Sequence, residues 1–355
     1  MSELKQVSIE TYDQDGFKSY RIPGVVVSSQ GTIMVYYETR LSAYDDWSAK
    51  GVGMKRSTDG GKTFSQRQMI ATSVDLPINN PIMIASKDGS IHFLWQKDYR
   101  QLFYQVSIDD GLTFSEPVSI MDAMMKFRPE YEWSLFAVGP GHGIELSNGR
   151  LVVPVWLARG EGNNHYPTHV STIISDDGGR SWHCGEMIYS SDNGNDDFVW
   201  VNESQVVELS DGSVLINMRH NGKLRYRYTA ISPNGQNQFS TPVPDMQLPD
   251  AICFGSIVKT EDKILFVNCA NNKELRANGW PKRIDLTVRI SYDDAKSWKY
   301  SKKIAGLAGY ADIATSPDGK TYYCFFEDGN PPDNEEPARL TLAIFDEAYL
   351  VEDKA

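Results

Sequence analysis

Cysteine is scarce in this chain of 355 residues. Cys184, Cys253, Cys269 and Cys324 are scattered, with no CxxC and no Cys/His spacing of the kind a metal needs. A disulfide framework and a metal site are therefore disfavoured, no cofactor is implied, and the four read as reduced structural thiols. No apolar run reaches the roughly eighteen residues that would span a bilayer. The opening Met1 to Glu10 also lacks the charged-then-apolar order of a secretion signal. That points to a cytoplasmic protein, or to a secreted or periplasmic one from which a leader was removed. Positive charge is short as well: 35 basic against 47 acidic side chains give a net charge of −12. Such a balance argues against broad binding to nucleic acid or an anionic membrane, so an anionic ligand has to be held by a local arginine cluster. Linkers, low-complexity segments and long helical periods are missing too, and the chain reads as one domain over 1–355. The stretches Tyr189 to Asn202 and Asn271 to Pro281 read as loops.

What is present is a repeat. Ser57 to Phe64, Ser107 to Phe114 and Ser175 to Trp182 fit S-x-D-x-G-x-[ST]-[FW], and Ser291 to Trp298 fits with Ala295 in the glycine position. Ser232-Pro233-Asn234 leading to Phe239 is a decayed copy, and Ser316-Pro317-Asp318-Gly319 resembles half of another. The first five copies follow one another at 50, 68, 57 and 59 residues, the spacing of one propeller blade each. Each box makes sense as a hairpin turn, in which the aspartate binds nearby backbone, glycine supplies positive φ and the aromatic packs between sheets. Asp59, Asp109 and Asp177 are thus structural. Runs such as Gly31 to Tyr37, Gly149 to Val155 and Gly212 to Met218 follow Gly or Asn-Gly turns and read as the inner strands of successive blades.

One further element stands apart. Tyr20-Arg21-Ile22-Pro23-Gly24 puts an arginine between a strand-forming aromatic and a proline, on stiffened backbone suited to a fixed carboxylate contact. With the boxes, this YRIP element resembles the exo-sialidases, whose fold is an all-β, six-bladed β-propeller; the resemblance covers about residues 7 to 350. It implies a retaining exo-α-sialidase acting on sialylated glycans. Sialic acid carries a carboxylate on its reacting carbon, and the planar fork of arginine binds a carboxylate at two points. The resemblance assigns this role to Arg21, to Arg219 sixteen residues after Glu203, and to Arg283. Arg289 is the rival third arginine on the same strand face; Arg283 is preferred because it starts its strand near a rim, whereas Arg289 runs into the fourth box.

A carboxylate nucleophile would be repelled by the substrate's own carboxylate, which favours a neutral group that becomes anionic as it attacks. Gly309-Tyr310-Ala311-Asp312 resembles the family's tyrosine element, making Tyr310 the expected nucleophile and Glu203 its base. Asp46, with Asp45 as the alternative, is the expected acid/base on the polar loop Leu41 to Trp47. Arg40 resembles the extra arginine near the sugar's O4, and Glu327 the glutamate that holds the first arginine. Where many members have Asp-Pro facing O4, this chain has Asn80-Pro81, so Asn80 is a substrate-binding candidate. His142, in Gly139-Pro140-Gly141-His142-Gly143, is expected either against the glycerol or N-acyl arm or in a turn with a backbone partner. Trp133, Trp156, Trp200 and Trp280 are candidates for a sugar-stacking wall. Two alternatives share these residues, a hydrolase for a deaminated nonulosonic acid and a trans-sialidase; a third, a non-catalytic glycan-binding propeller, would keep the boxes and part of the arginine cluster but lack the acid or the nucleophile. Oligomeric state and linkage preference leave no mark in the sequence.

Overall fold

In the computed structural model, which describes residues 3–42, 45–188, 200–329 and 338–352, Ile33, Met34, Val35, Tyr36 and Tyr37 are all fully buried. They do not enter one core. Ile33, Val35 and Tyr37 pack with Phe325, Leu340 and Leu342, whereas Met34 and Tyr36 pack with Met83, Ile91 and Phe93. Side chains alternate faces along a strand, so a continuous apolar run feeds two separate cores, one on each face of its sheet. The same holds for Leu151 to Val155, where Val152 faces one cluster and Leu151, Val153 and Val155 the next.

The sheets follow chain order. The first runs Ser19–Val27, Ile33–Arg40, Ala49–Ser57 and Gln68–Thr72. The second runs Ile78–Ala85, Ile91–Lys97, Gln101–Ser107 and Val118–Ser119, with Gly141–His142 laid parallel beside Ile78–Ala85. The third has Leu135–Val138, Leu151–Ala158, Thr168–Ser175 and His183–Cys184, and the fourth Val201–Glu208, Val214–His220, Tyr226–Ser232 and Val243–Pro249. A seven-stranded sheet takes the rest. Ser256–Lys259, Ile264–Cys269 and Ile284–Ser291 lead to the sixteen-residue strand Tyr300–Thr315, whose first half pairs backwards and whose second half pairs with Thr321–Asp328. Arg339–Asp346 follows, and the N-terminal Lys5–Thr11 closes that edge by pairing with it. Six apolar clusters lie among the described residues, each drawn from two successive sheets or halves of the long sheet, and the sixth joins the last strands to the first sheet.

Ser19–Val27 touches both Ile78–Ala85 and Tyr300–Thr315, and Val201–Glu208 touches Ser256–Lys259. These first strands, not the runs after Gly or Asn-Gly turns, occupy the inner edges. Ile33–Arg40, Leu151–Ala158 and Val214–His220 each stand one place further out, corrected from the innermost position expected of them. The reason is physical: a strand paired on both sides is regular and reads clearly, while the innermost strands carry bulges and prolines. The loop expected over 189–202 lies outside the described residues as far as 199, and Val201 and Asn202 already belong to a strand. No helix of the described residues is long and apolar enough to cross a membrane.

The boxes act as turns. Asp59 Oδ1 accepts from Ser57 Oγ and from the Lys62 and Thr63 amides at 2.8 to 3.0 Å, and Asp177 and Asp293 accept the equivalent serine hydroxyls and the Ser181 and Ser297 amides. Phe64, Phe114, Trp182, Phe239 and Trp298 each join one of the inter-sheet clusters. In the fourth box Ala295 takes φ +60°, the conformation its glycine counterparts hold at no steric cost. Ala295→Gly is therefore expected to raise stability by about 0.5 kcal/mol, the relieved left-handed strain slightly exceeding the added chain entropy. A shift of the urea midpoint to higher concentration at constant slope is the check, and a lower midpoint would contradict it.

Candidate active site

The functional side chains sit where the inner strands lose register. Arg21 pairs with Glu38 but Gly24 pairs with Tyr36, so three steps on one strand face two on the other, with Ile22 at φ +59°. The same extra residue occurs between Asn79 and Ile82, where Asn80 has φ +43°, between Val201 and Ser204 around Glu203, and between Ala308 and Ala311 around Tyr310. A bulge re-aims the side chain it carries. Here the four bulges aim Arg21, Asn80, Glu203 and Tyr310 into one cavity of about 450 Å3.

Three arginines converge on one ring in that cavity. The guanidinium carbons of Arg21, Arg219 and Arg283 lie 5.8, 5.9 and 5.1 Å from the centre of the Tyr310 ring. Arg289 is elsewhere, donating to Asn268 Oδ1 at 3.0 Å, so the cavity contains Arg283 and not its rival. Tyr310 Oη donates to Glu203 Oε1 at 2.6 Å and accepts from Arg219 Nη1 at 2.7 Å, while Arg219 also pairs directly with Glu203. Burial pushes the Tyr310 phenol well above its ordinary value, and Glu203 adds to that against the pull of Arg219 and Arg283. The phenol is therefore neutral at rest, beside a carboxylate placed to take its proton.

Glu327 holds this arrangement together from behind. It is fully buried, accepts from Arg21 Nε at 2.5 Å and Nη2 at 3.3 Å, and also accepts the amides of Ile22 and Tyr310 at 3.2 and 3.0 Å. One carboxylate thus fixes both bulges, which sets the guanidinium before a ligand arrives. Gly309 is required by this packing, because a Cβ there would lie 2.2 Å from Glu327 Oε2.

On the opposite side Asp46 lines the cavity, half exposed, and accepts from Arg40 Nη1 at 2.7 Å. Asp45 instead accepts the Trp47 amide and begins the short 3-10 turn Asp46–Ser48. Burial would raise the Asp46 carboxyl, but Arg40 and then Arg21 outweigh it and hold it below the usual carboxylate range. Arg40, fully buried, stands behind Asp46 and is not among the lining residues, a correction to its expected place against the ligand. Asn80 does line the cavity.

His142 falls in neither expected place. Gly141 and His142 pair with Ile82 and Met83, past Asn80 along the neighbouring strand, and so lie beneath the cavity floor. Its Nδ1 is 2.8 Å from Asp312 Oδ1, a side-chain and not a backbone partner, and it lines a second cavity of about 510 Å3 with Val25, Ile84, Val206 and Ile257. Of the tryptophans, Trp156 and Trp280 line the first cavity. Trp133 is buried and donates to Met124 O, while Trp200 packs at a tilt against Tyr166 without lining the cavity. Tyr99, His165, Tyr166, Asn202, Arg276 and Asn278 line the cavity without having been anticipated. Asn202 adjoins Glu203 and could have been found from it; the others sit on turns and loops that carry no period.

The arrangement can clamp a carboxylate between three cations, present a neutral phenol paired with a base, and offer a carboxyl from the far side. Among the described residues no group of three or more His, Cys, Asp or Glu side chains is placed to hold a metal ion.

Comparison with known proteins agrees with this geometry. The BNR repeat-like domain matches residues 90–323. A sialidase of Micromonospora viridifaciens is 28% identical over 353 residues, covering 89% of this chain and 51% of that protein. A sialidase of Bacteroides fragilis strain YCH46 is 27% identical over 329 residues, covering 82% of this chain and 56% of that protein. The chain thus spans about half the length of these curated relatives. Among solved structures, a Hadza microbial sialidase shares the fold with a TM-score of 0.76 at 21% identity, covering 98% of this chain and 69% of that one. With well over half its length inside that match, the chain belongs to the family of BNR repeat-like domains, and relatives similar to it across most of its length are sialidases.

Proposed function

We propose that the chain is a retaining exo-α-sialidase, built as a single six-bladed β-propeller, that removes terminal sialic acid from glycans. The observation that carries this reading is the convergence of Arg21, Arg219 and Arg283 on Tyr310, with Glu203 in contact. The succession of six inter-sheet clusters, the last joining the chain's end to the first sheet, supports the propeller. The three arginines clamp the substrate carboxylate. Tyr310 Oη attacks C2 as its proton passes to Glu203, and Asp46 gives a proton to the departing glycosidic oxygen. In the second half Asp46 takes a proton from water, the hydroxide attacks C2, and the leaving Tyr310 oxygen recovers its proton from Glu203. Asn80 borders the far side of the ring, toward O4.

Proton NMR of a sialyllactose digest tests this directly, since two inversions at C2 release the α anomer first. Initial appearance of the β anomer, or no turnover, would end the retaining reading. An anhydro or transferred sugar in place of free sialic acid would reassign the reaction to a trans-sialidase.

A further inference from the structure

Glu38 has no part in the chemistry above, yet it is wholly buried beside it. Its Oε2 accepts from Arg40 Nε at 2.8 Å and is 2.6 Å from Arg40 Nη2, and its Oε1 accepts the Asn80 amide at 2.7 Å. Arg40 is left with Nη1 for Asp46, at 2.7 Å. Asn79, next to Asn80, donates from Nδ2 to the Asp46 backbone carbonyl at 2.9 Å. Asp46 is thus held by a side chain and a backbone contact, and both trace to strands that Glu38 joins. Glu38 and Arg40 share a strand face, being two residues apart, and Glu38 reaches Asn80 across the gap between the first and second sheets.

We propose that Glu38 is a positioning residue for Asp46, acting through Arg40 on the carboxyl's place and charge and through Asn80 on the wall beside it. The inference rests on the sialidase reading of the site. An arginine alone beside Asp46 would keep it a carboxylate and useless as an acid. Glu38 Oε2 lies against the Nε and Nη2 edge of the guanidinium and offsets part of its charge, so Asp46 can be protonated once a bound substrate carboxylate offsets Arg21. Among the described residues, the other groups facing Asp46 are Arg21 from Ser19–Val27, His165 from the loop before Thr168–Ser175, and Tyr99 from the turn before Gln101–Ser107. None of these contacts Arg40 as Glu38 does.

The test is Glu38→Gln in the full chain, assayed on sialyllactose, whose leaving group needs a proton, and on a 4-methylumbelliferyl sialoside, whose leaving group does not. The expected result is a loss in kcat of roughly 100-fold on sialyllactose and under about 5-fold on the aryl substrate. The alkaline limb of kcat on sialyllactose should also move to lower pH, because removing a negative charge favours ionised Asp46. The ratio between substrates is independent of how much protein is folded. Glu327→Gln, which loosens Arg21 instead, should lower both substrates alike. Equal losses from Glu38→Gln on both substrates, with an unmoved pH profile, would overturn the inference while leaving the sialidase reading intact. A wild-type protein that cleaves neither substrate would overturn both.

Discussion

Tyr310→Phe is expected to lower kcat on sialyllactose by roughly three to five powers of ten while leaving KM within a few-fold. The substitution deletes one atom, Oη, which donates to Glu203 and accepts from Arg219. Phenylalanine keeps the ring that the three guanidinium groups surround, and Glu327 still holds Arg21, so the carboxylate clamp persists. The Arg219–Glu203 ion pair also remains, leaving neither charge buried alone, and the melting temperature should change little. What disappears is the group that can bond to C2. No nearby side chain replaces it: Glu203 is a carboxylate and would meet the substrate's own carboxylate with repulsion. Steady-state kinetics with a mass-spectrometric search for a glycosylated peptide containing residue 310 separates the outcomes. A Phe variant that kept a tenth of normal turnover would falsify the nucleophile assignment.

How much of this was legible beforehand depends on the kind of residue. The boxes were, because they repeat a local turn whose hydrogen bonds stay within eight residues of chain. Strands paired on both sides were, because burial on two faces writes a continuous apolar run, as in Ile33 to Tyr37. The inner strands were harder to read, since the bulges that aim Arg21, Asn80, Glu203 and Tyr310 interrupt the alternation that marks a strand. Parity could not separate Arg283 from Arg289; Arg283 lies just before the strand Ile284–Ser291 and reaches the cavity, whereas Arg289 lies within it and reaches Asn268. His142 misled because glycines around it signal close backbone approach without saying which cavity is approached. In fact a Cβ at Gly141 would meet Gln205 Nε2 at 2.8 Å and Asp312 Oδ1 at 3.0 Å, the floor between the two cavities. His165 and Asn278 come from segments without periodicity, and their place in the wall is set by tertiary packing alone. Glu38 was hidden in the opposite way, as the first polar residue after a run, Ile33 to Tyr37, that reads as core.

Asp46→Ala is expected to separate substrates as sharply as Tyr310→Phe stops them. Loss of the carboxyl should cut kcat/KM on sialyllactose by roughly two to four powers of ten, but on a 4-methylumbelliferyl sialoside by about tenfold or less in the first step. The sign of the pH dependence follows from its surroundings. Although burial alone would raise the carboxyl, Arg40 and Arg21 hold it below the ordinary range in the free protein, where it is ionised at neutral pH. An acid must carry its proton when the bond breaks. Binding supplies the change, because the substrate carboxylate offsets Arg21 and the sugar displaces water from a side chain that is half exposed without it. Both effects raise the carboxyl's proton affinity in the complex. The alkaline limb of kcat, which reports the complex, should then lie at higher pH than the ionisation of Asp46 in the free protein, followed by carbon-13 NMR of labelled aspartate. In Asp46→Ala that limb should vanish on sialyllactose, and azide should speed turnover of the aryl substrate by taking the place of activated water at C2. If the limb survived the substitution unchanged, some other group would be giving the proton, and Asp46 would be left as a wall of the cavity rather than its acid.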